Sequence, residues 1–481
     1  MKVLVSNPPW PGQGYGARSD VRWPHRRSDK YLEYPIYLAY AVAILEESGV
    51  NVEFIDAVAD DLSTQAYVNT AKKINPRIIL MECSTPSINH DLSTAKKLKE
   101  AITDTFVVLI GPHPTYFHQE ILTENTFIDA IVRGEFEHTI RDLSLNIMND
   151  GELKGVKGIS YRDNNVVYVN DDRPLIKNLD TLPFPARDRV KSNSYREAVF
   201  TGKKCTTIIS SRGCPYGCVF CLWPRTMYGR KFRARSPTNV VDEVEHVVRE
   251  HDIDEIYFDD DCLTLNKTRL MKICKGIRER DIDVKWMCQS RVDNIDEELL
   301  GEMKKAGCHY IKYGVESGSQ EMLNLMKKGI TLEAARKAFR LTRKMGIKTQ
   351  AFFLIGLPWE TEETFRNTVE FAKELKPDSA QFAVVVPHPG TELYNLCVEK
   401  GWLKFDSWED FDCRKALIET KNLSTKEVEK YRVQAYKAFY FRPSYILRTT
   451  LKLWNPNEAR RIIRGAKSIV ERLAYYKGND A

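Results

Sequence analysis

Short apolar segments alternate with helical stretches along most of this 481-residue chain. Parallel strands need a long crossover connection, usually a helix, so this alternation predicts parallel sheets with helices on their faces. In the N-terminal third, the predicted strands are residues 2–6, 51–56, 77–82, 107–110 and 128–132. A second series follows at residues 205–210, 255–258, 284–288, 310–314, 349–355 and 379–386. The chain is therefore predicted to be an α/β protein with a doubly wound, Rossmann-like first domain and a partial (β/α)6 barrel.

The loop after residue 210 carries three cysteines, Cys214, Cys218 and Cys221, spaced C-x3-C-x2-C, with Phe220 just before the last. Iron–sulfur clusters take thiolate ligands from short loops of this kind. Three thiolates leave one iron of a 4Fe–4S cube open, which favours chemistry at the metal. The alternatives are a zinc site, a disulfide pair or cysteines that only pack. Structural zinc needs four protein ligands, and disulfides are rare in a long chain without a secretion signal.

Composition excludes several other classes of protein. The net charge of +6 is mild and spread along the chain, so it makes no case for nucleic-acid binding. No apolar run reaches about 18 residues, so no transmembrane helix is expected. Eleven cysteines, most of them scattered, fit a reducing compartment and predict a cytoplasmic protein.

Polar and glycine-bearing loops follow the predicted strands of the first domain. Parallel sheets of this kind bind ligands in the crevice outside the carboxyl ends of their strands. The first strand lacks a following G-x-G-x-x-G, so the domain has no nicotinamide-binding fingerprint. Another nucleotide, or no ligand at all, is the alternative. The candidate binding residues in these loops are Pro8, Pro9, Ser84, Gly111, His113, Pro114, Gly134 and Glu135.

The cysteine spacing, with Phe220 in place, resembles the signature of the radical SAM superfamily, in which S-adenosylmethionine (SAM) chelates the open iron. The N-P-P start, the P-x-x-L-A-Y helix and the G-x-H-P-T and R-G-E-x-E loops resemble the cobalamin-binding domain of one large radical SAM class. The resemblance implies that the eight loop residues bind cobalamin. The D-x-H-x-x-G motif of other cobalamin proteins is absent, which implies base-off cobalamin without a histidine from that motif and leaves the lower axial ligand open.

Charged and polar residues also follow the predicted barrel strands, where barrels of this type place their chemistry. The segments F-x-D-D, R-x-D and G-x-E-S-G resemble strand ends of the same radical SAM class. Without that resemblance, helix capping or surface pairing explains such residues equally well. The resemblance implies that the backbone of Gly356-Leu357-Pro358 runs past the adenine of SAM and that one of Asp259, Asp260 and Asp261 contacts SAM. The SAM-binding residues implied are Phe220, Asp260, Arg291, Glu316 and Ser317.

The last quarter of the chain has a helical pattern and a basic end. From residue 442 it has nine Lys or Arg residues against three acids. A basic amphipathic helix of this kind contacts a membrane surface or an acidic partner, or docks on its own domain. The predicted domains are residues 1–178 (cobalamin-binding domain with a connector hairpin), 179–200 (linker), 201–390 (radical SAM barrel) and 391–481 (helical C-terminal domain).

The resemblance implies a C-methyltransferase that uses a 5′-deoxyadenosyl radical and methylcobalamin to methylate an unactivated carbon. Its cofactors would be a 4Fe–4S cluster, SAM and cobalamin, and an external one-electron reductant would be its partner. The substrate is left open among small molecules, lipids and peptide or protein side chains. A cyclase or carbon–carbon bond-forming enzyme acting on a lipid or small molecule is the enzymatic alternative. A sensor that has lost catalysis is the third.

Overall fold

The computed structural model describes residues 2–18, 24–27, 30, 32–190, 195, 202, 204–451, 454, 459, 462–463 and 465–466. Two large sheets form the fold, one in each half of the chain. The strands are β1 Lys2–Asn7, β2 Tyr15–Ala17, β3 His25–Arg27, β4 Asn51–Asp56, β5 Ile78–Glu82, β6 Phe106–Ile110, β7 Ala130–Val132, β8 Ile159–Asp163, β9 Val166–Val169, β10 Cys205–Ile208, β11 Ser211–Arg212, β12 Arg233–Ala234, β13 Glu255–Phe258, β14 Lys285–Ser290, β15 Cys308–Glu316, β16 Lys348–Ile355 and β17 Ser379–Val384.

Helices connect the strands and pack against both sheets, on the outer face only in the barrel. Many start where the sequence supplies a cap, as at Ser236, whose hydroxyl accepts from the Asn239 N–H before Pro237 begins a helix. The helices are α1 Ile36–Glu47, α2 Thr64–Ile74, α3 Ile88–Ala101, α4 Pro112–Tyr116, α5 His118–Glu124, α6 Glu137–Met148, α7 Trp223–Thr226, α8 Pro237–His251, α9 Lys267–Glu279, α10 Glu297–Lys305, α11 Gln320–Leu325, α12 Leu332–Lys344, α13 Glu362–Leu375, α14 Glu392–Glu399, α15 Thr425–Tyr440 and α16 Pro443–Thr450.

The N-terminal sheet has the strand order β4-β1-β5-β6-β7-β8-β9. Its first five strands run parallel, and the β8–β9 hairpin is added antiparallel at one edge. The predicted turn of that hairpin is present, with Asn164 and Asn165 both in the left-handed region. The chain changes direction between β1 and β5, so the crevice of this doubly wound sheet lies outside the carboxyl ends of these two strands.

The second sheet has the order β10-β13-β14-β15-β16-β17, and every neighbouring pair is parallel. These six β/α units confirm the predicted partial barrel. Its strands are buried between the barrel interior and the outer helices, and their side chains form one continuous apolar core. The carboxyl ends of all six strands therefore lie on one face, where the cysteine loop begins.

The structure differs from the sequence prediction around the cysteine loop and near the N-terminus. The strand predicted at 205–210 ends at Ile208, and the chain then enters the two-residue ribbon β11–β12, which closes the base of the cysteine loop. The short hairpin β2–β3 was not predicted either. Both are too short to produce a periodic pattern of side chains.

Helix α15 covers the last barrel strand, β17. The Tyr440 hydroxyl accepts from the N–H of Ala380 and donates to its carbonyl oxygen, and the Tyr436 hydroxyl accepts from the N–H of Phe382. Helix α16 follows, with Ile446 and Leu447 exposed. Most of the predicted basic tail and part of the predicted linker 179–200 lie outside the described residues. In the part of the chain that is described, no helix has the length and apolar character needed to cross a bilayer.

Candidate active site between the two sheet edges

The carboxyl edges of the two sheets meet. Gly390, in the loop after β17, lies between Thr226, in helix α7 after the cysteine loop, and Tyr116 of the N-terminal domain. A Cβ added to this glycine would lie 2.7 Å from the Thr226 side chain and 3.3 Å from the Tyr116 ring. Tyr116 closes helix α4 after β6, and its hydroxyl donates to Asn395 at 3.2 Å. The loops that end the strands of one sheet therefore face those of the other.

The cysteine loop is held by its backbone on both sides. The N–H of Val219 donates to Met326 O at 3.1 Å, and the N–H of Leu393 donates to Val219 O at 3.0 Å. Gly213 has a φ of +84°, and an added Cβ would lie 2.3 Å from the carbonyl oxygen of Lys231. A glycine is required there, because the two strands of the ribbon approach each other too closely for a side chain.

The three aspartates after β13 are divided between two tasks. Asp260 is fully buried and accepts from the hydroxyls of Ser210, at 2.7 Å, and Ser211, at 2.5 Å. Asp261 accepts from the N–H of Gly213 at 2.8 Å. Both carboxylates anchor the start of the cysteine loop, whereas Asp259 accepts from Gln289 at the next strand end. The predicted contact between Asp260 and SAM stays a prediction, and the structure gives this carboxylate a supporting role.

The residues of the cysteine loop fit an iron–sulfur cluster. Cys214, Cys218 and Cys221 are half-buried, whereas most other cysteines of the chain are buried. A hydrogen bond from Cys262, partly opposed by burial, lowers the pKa of the Cys214 thiol to about 7, which favours the thiolate that iron needs. Burial raises the pKa of Cys218, although Lys328 acts in the opposite direction.

Among the described residues, no three His, Cys, Asp or Glu side chains converge on one point closely enough to hold a single metal ion. Each iron of a cube takes its own cysteine, whereas one zinc ion takes all of its ligands at once. The feature that favours a cluster is therefore the spacing of the three cysteines.

A group of charges surrounds the cysteine loop. Lys328, buried and absent from the sequence prediction, lies 2.7 Å from the Glu316 carboxylate. Arg291 lies over the Tyr216 ring, with its guanidinium carbon 3.4 Å from the ring centre, and it forms an ion pair with Asp293. SAM carries an amino group and a carboxylate, so the Glu316 carboxylate and the cations Lys328 and Arg291 offer charges that match its methionine part.

Glu316 has a φ of +70°, a left-handed conformation that is rare outside glycine. Such a residue costs about 1–3 kcal/mol and is held only where the surroundings enforce it, often at functional sites. The adjacent Ser317 is buried, and its hydroxyl pairs with Thr368 Oγ1 at 3.1 Å. Ser317 therefore supports the loop, and its predicted contact with SAM stays a prediction. Phe220 is half-buried and packs against the barrel core.

The predicted adenine-passing loop carries a buried carboxyl group that the sequence did not single out. Glu360 is fully buried and accepts from the N–H of Gly356 at 2.5 Å. Burial raises its pKa to about 8, and the Gly356 hydrogen bond offsets only part of that rise. The carboxyl group fixes the turn at Gly356, while Val428 of α15 packs over the glycine.

In the N-terminal crevice, a buried arginine fixes the loop that contains Pro8 and Pro9. Arg18 donates to the carbonyl oxygens of Pro8, at 2.8 Å, and Pro9, at 3.1 Å, and it forms a 2.8 Å ion pair with Asp91. Neither charged side chain is exposed. The two prolines thus lie at the switch point of the sheet with their carbonyl groups already occupied.

The other predicted cobalamin-binding residues lie together at the same edge. Ser84 caps the 3₁₀ turn Thr85–Ser87, and His113 Nδ1 lies 3.2 Å from Thr85 Oγ1. Gly111 and Pro114 flank His113 in the neighbouring loop, and Gly134 donates its N–H to Thr115 Oγ1 at 3.1 Å. The 3₁₀ turn Trp408–Phe411 covers this edge, with the Trp408 ring 5.0 Å from that of His113.

Glu135 and Glu137 form a buried joint with Arg212 and Arg233, here called the arginine–glutamate joint. Arg212 donates to Glu135 at 2.8 Å and to Glu137 at 2.6 Å, and Arg233 donates to Glu135 at 2.8 Å. All four side chains are almost completely buried. The R-G-E-x-E loop therefore fastens the N-terminal domain to the residues just before Cys214. The predicted contact of Glu135 with cobalamin stays a prediction.

One buried polar side chain in this region lacks a partner. His388, in the loop after β17, is 3% exposed, and within the described structure neither ring nitrogen has a hydrogen-bond partner. Its ring centre lies 6.5 Å from that of Phe411, in the turn that covers the loops predicted to bind cobalamin. Buried polar groups are nearly always satisfied, so this imidazole has a donor and an acceptor available to a bound group. The amide side chains of cobalamin fit a neutral imidazole, which offers one donor and one acceptor.

Sequence reasoning missed Arg18, Arg212, Lys328 and His388. Arg212 stands two residues before Cys214 and His388 stands between two prolines after a predicted barrel strand, so the sequence places both near candidate loops. Arg18 and Lys328 lie in segments without a motif, and a single charged residue there is more often solvated. Only their burial beside opposite charges identifies them.

Comparison with known families assigns both halves of the chain. The family model of the radical SAM superfamily matches residues 208–372, and that of the B12 binding domain matches residues 26–144. These ranges contain the cysteine loop with most of the barrel, and most of the parallel N-terminal sheet.

Two relatives and one solved structure are similar over most of the chain. An uncharacterized methyltransferase of Pyrococcus horikoshii is 34% identical over 86% of this chain and 89% of its own. The anaerobic magnesium-protoporphyrin IX monomethyl ester cyclase of Rubrivivax gelatinosus is 29% identical over 93% of this chain and 78% of its own. The cobalamin-dependent S-adenosylmethionine radical enzyme OxsB, solved with aqua-cobalamin and S-adenosylmethionine, has a TM-score of 0.73 at 17% identity and covers 96% of this chain and 72% of its own.

Proposed function

This chain belongs to the radical SAM methyltransferases that carry a B12-binding domain, and we propose that it methylates an unactivated carbon. The Pyrococcus horikoshii relative supports the class, since both chains are covered almost completely. The meeting of the two carboxyl edges carries the proposal: Gly390 of the barrel lies against Tyr116 of the B12-binding domain. Groups that act on one substrate carbon must be held close together, and here the carboxyl edges of the two sheets face each other.

The residues at each edge have separate tasks. Cys214, Cys218 and Cys221 would hold the cluster, and Glu316 with Lys328 would bind the methionine part of SAM. When bound, the cluster supplies the electron that cleaves SAM to a 5′-deoxyadenosyl radical, and cobalamin supplies the methyl group. The half-buried loop, closed by the backbone bonds of Val219, limits the access of water to the cysteines.

The test uses the full-length chain, reconstituted without oxygen with iron, sulfide and hydroxocobalamin and then reduced in the presence of SAM. We expect 5′-deoxyadenosine, from reductive cleavage, and S-adenosylhomocysteine, from methyl loss. The Cys218→Ala chain, prepared in the same way, is the control for cluster-dependent cleavage. A chain that holds its cluster and yields neither product would overturn the enzymatic assignment.

The cyclase relative of Rubrivivax gelatinosus supports a second candidate, ring formation without methyl transfer. Such an enzyme would form 5′-deoxyadenosine without S-adenosylhomocysteine. Once a substrate is identified, product mass separates the two candidates, because methylation adds one CH2 and cyclisation removes hydrogens. Peptide and protein side chains, lipids and small molecules are the substrates to assay first.

We also propose that the protein works in the cytoplasm with an external one-electron reductant. All eleven cysteines are free thiols, which a reducing compartment preserves. Fractionation of cells that express the chain tests the location. Reduction of the reconstituted cluster by a flavodoxin or ferredoxin, followed by absorption, tests the partner.

A further inference from the structure

A fourth cysteine lies beside the cysteine loop although it is no part of the motif. Cys262 Sγ is 3.7 Å from Cys214 Sγ, a contact within hydrogen-bond distance for sulfur. Cys262 is buried, 4% exposed, and directly follows Asp261 at the carboxyl end of β13. The two cysteines are 48 positions apart along the chain, so no spacing pattern predicts the contact.

The contact is held by structure on both sides. Asp261, which precedes Cys262, accepts a hydrogen bond at 2.8 Å from the N–H of Gly213, which precedes Cys214. After Cys262 the chain turns at once, with the N–H of Leu265 donating to Cys262 O at 3.2 Å. Thr264 in that turn pairs with Ser290 at 2.8 Å. Cys262 is therefore fixed against Cys214 by the backbone.

The direction of the hydrogen bond follows from the cluster. Between two free thiols, either sulfur can donate. A cysteine that binds iron does so as a thiolate and has no proton left to donate. With Cys214 bound to iron, the S–H of Cys262 is the donor and the Cys214 sulfur the acceptor.

We propose that Cys262 is a positioning residue that donates a hydrogen bond to the iron-bound sulfur of Cys214 and so raises the reduction potential of the cluster. This rests on the proposed function, in which Cys214, Cys218 and Cys221 hold the cluster. Reduction adds negative charge to the cluster and its sulfur ligands, so a donor at the ligand sulfur stabilises the reduced form more than the oxidised form. Cys262 would thus ease reduction of the cluster by the external reductant, while making the reduced cluster a weaker electron donor to SAM.

The test is a redox titration of the reconstituted full-length chain, followed by the electron paramagnetic resonance signal of the reduced cluster. Four chains are compared: wild type, Cys262→Ala, Cys262→Ser and the control Cys274→Ala, which removes a buried thiol elsewhere in the barrel core. At the wild-type midpoint potential, we expect the ratio of reduced to oxidised cluster to fall roughly three- to tenfold in Cys262→Ala, the effect of losing one hydrogen bond. Cys262→Ser keeps a donor and should stay near wild type, and Cys274→Ala should not change.

Each other outcome has one meaning. An unchanged potential in Cys262→Ala with full iron content overturns the inference, as does a serine variant that shifts as far as the alanine variant. Loss of iron from Cys262→Ala would make Cys262 a ligand and also overturn it. A wild-type chain that binds no cluster would instead overturn the proposed function, so the two failures are distinguishable by iron analysis of the wild type.

Discussion

The two sheet edges that meet in this protein treat their buried charges differently. At the N-terminal edge, Arg18 is paired with Asp91, and Glu135 accepts from both Arg212 and Arg233. At the barrel edge, three thiols stay half-buried and Glu360 is buried with no cation paired to it in the described structure. At the first edge these buried charges have oppositely charged partners within the protein, whereas the second edge also has a buried carboxyl group, that of Glu360, without a cation beside it in the described structure.

The difference in charge pairing suits the N-terminal edge to holding a fixed geometry and the barrel edge to binding a ligand. A buried ion pair adds little net stability, but breaking it is costly, so it fixes one geometry. Incompletely satisfied or strained groups such as Glu316 persist because the surroundings enforce them, and they remain available to a ligand. We therefore expect substitutions at the joint to act on stability, and substitutions at the barrel edge to act on cofactor binding.

The largest effect is expected at the cysteine loop. Cys218→Ala removes one of three thiolate ligands and should abolish cluster binding and SAM cleavage, measured by iron analysis and 5′-deoxyadenosine formation. Hydroxocobalamin binding, followed by absorption, should persist. Cys274→Ala is the matched control and should retain the cluster. Loss of cobalamin binding in Cys218→Ala would contradict the separation of the two edges.

The arginine–glutamate joint comes next. Glu135→Ala leaves Arg212 and Arg233 buried with a lost partner, so we expect the free energy of unfolding in urea to fall by about 3–5 kcal/mol. The control Glu46→Ala removes the partly exposed pair with Arg189, which should cost no more than about 1 kcal/mol. Equal losses in the two variants would show that the joint is no more than a surface contact.

At the barrel edge, Glu316→Gln tests a binding role. The amide keeps the shape of the side chain but removes the charge that Lys328 and a bound amino group would share. We expect the Kd for SAM, measured by equilibrium dialysis on the reconstituted chain, to rise about tenfold, the value of one charge-assisted hydrogen bond. Glu321→Gln, in the first turn of α11, is the matched control. Unchanged SAM affinity in Glu316→Gln would remove this residue from the site.

The smallest effect concerns the pH dependence of stability. Burial raises the pKa of Glu360 from 4.5 in an ordinary environment to about 8, so the folded chain binds this proton more tightly than the unfolded chain. The stability this provides is complete below the unfolded pKa and is lost as the pH rises through about 8. Between pH 6.5 and 7.5, its contribution to the free energy of unfolding should fall by about 1 kcal/mol.

Glu360→Gln should remove that part of the pH dependence, measured by urea unfolding at the two pH values. Glu243 offers a contrast, because Arg235 and Arg187 outweigh its burial and lower its pKa. The same slope in wild type and Glu360→Gln would show that this carboxyl group is ionised in the folded chain.

Much of the fold could be read from the chain because it depends on local patterns. Apolar segments such as Ile78–Glu82, buried along their whole length, mark parallel strands, and Asn164-Asn165 marks a two-residue turn. The three cysteines could be assigned as well, since their ligand spacing lies within one loop. The β2–β3 hairpin could not, because three-residue strands carry no period.

The residues along the chain are enough to predict the two α/β halves, the cysteine loop and the loops that resemble a cobalamin site. How these parts meet is visible only in the folded protein. It placed Cys262 against Cys214, Lys328 against Glu316, and Arg212 against Glu135. A periodic pattern or a short ligand spacing contains information only about residues that are close along the chain. The partner of a buried charge or thiol is instead set by which strand ends the folded sheets bring together.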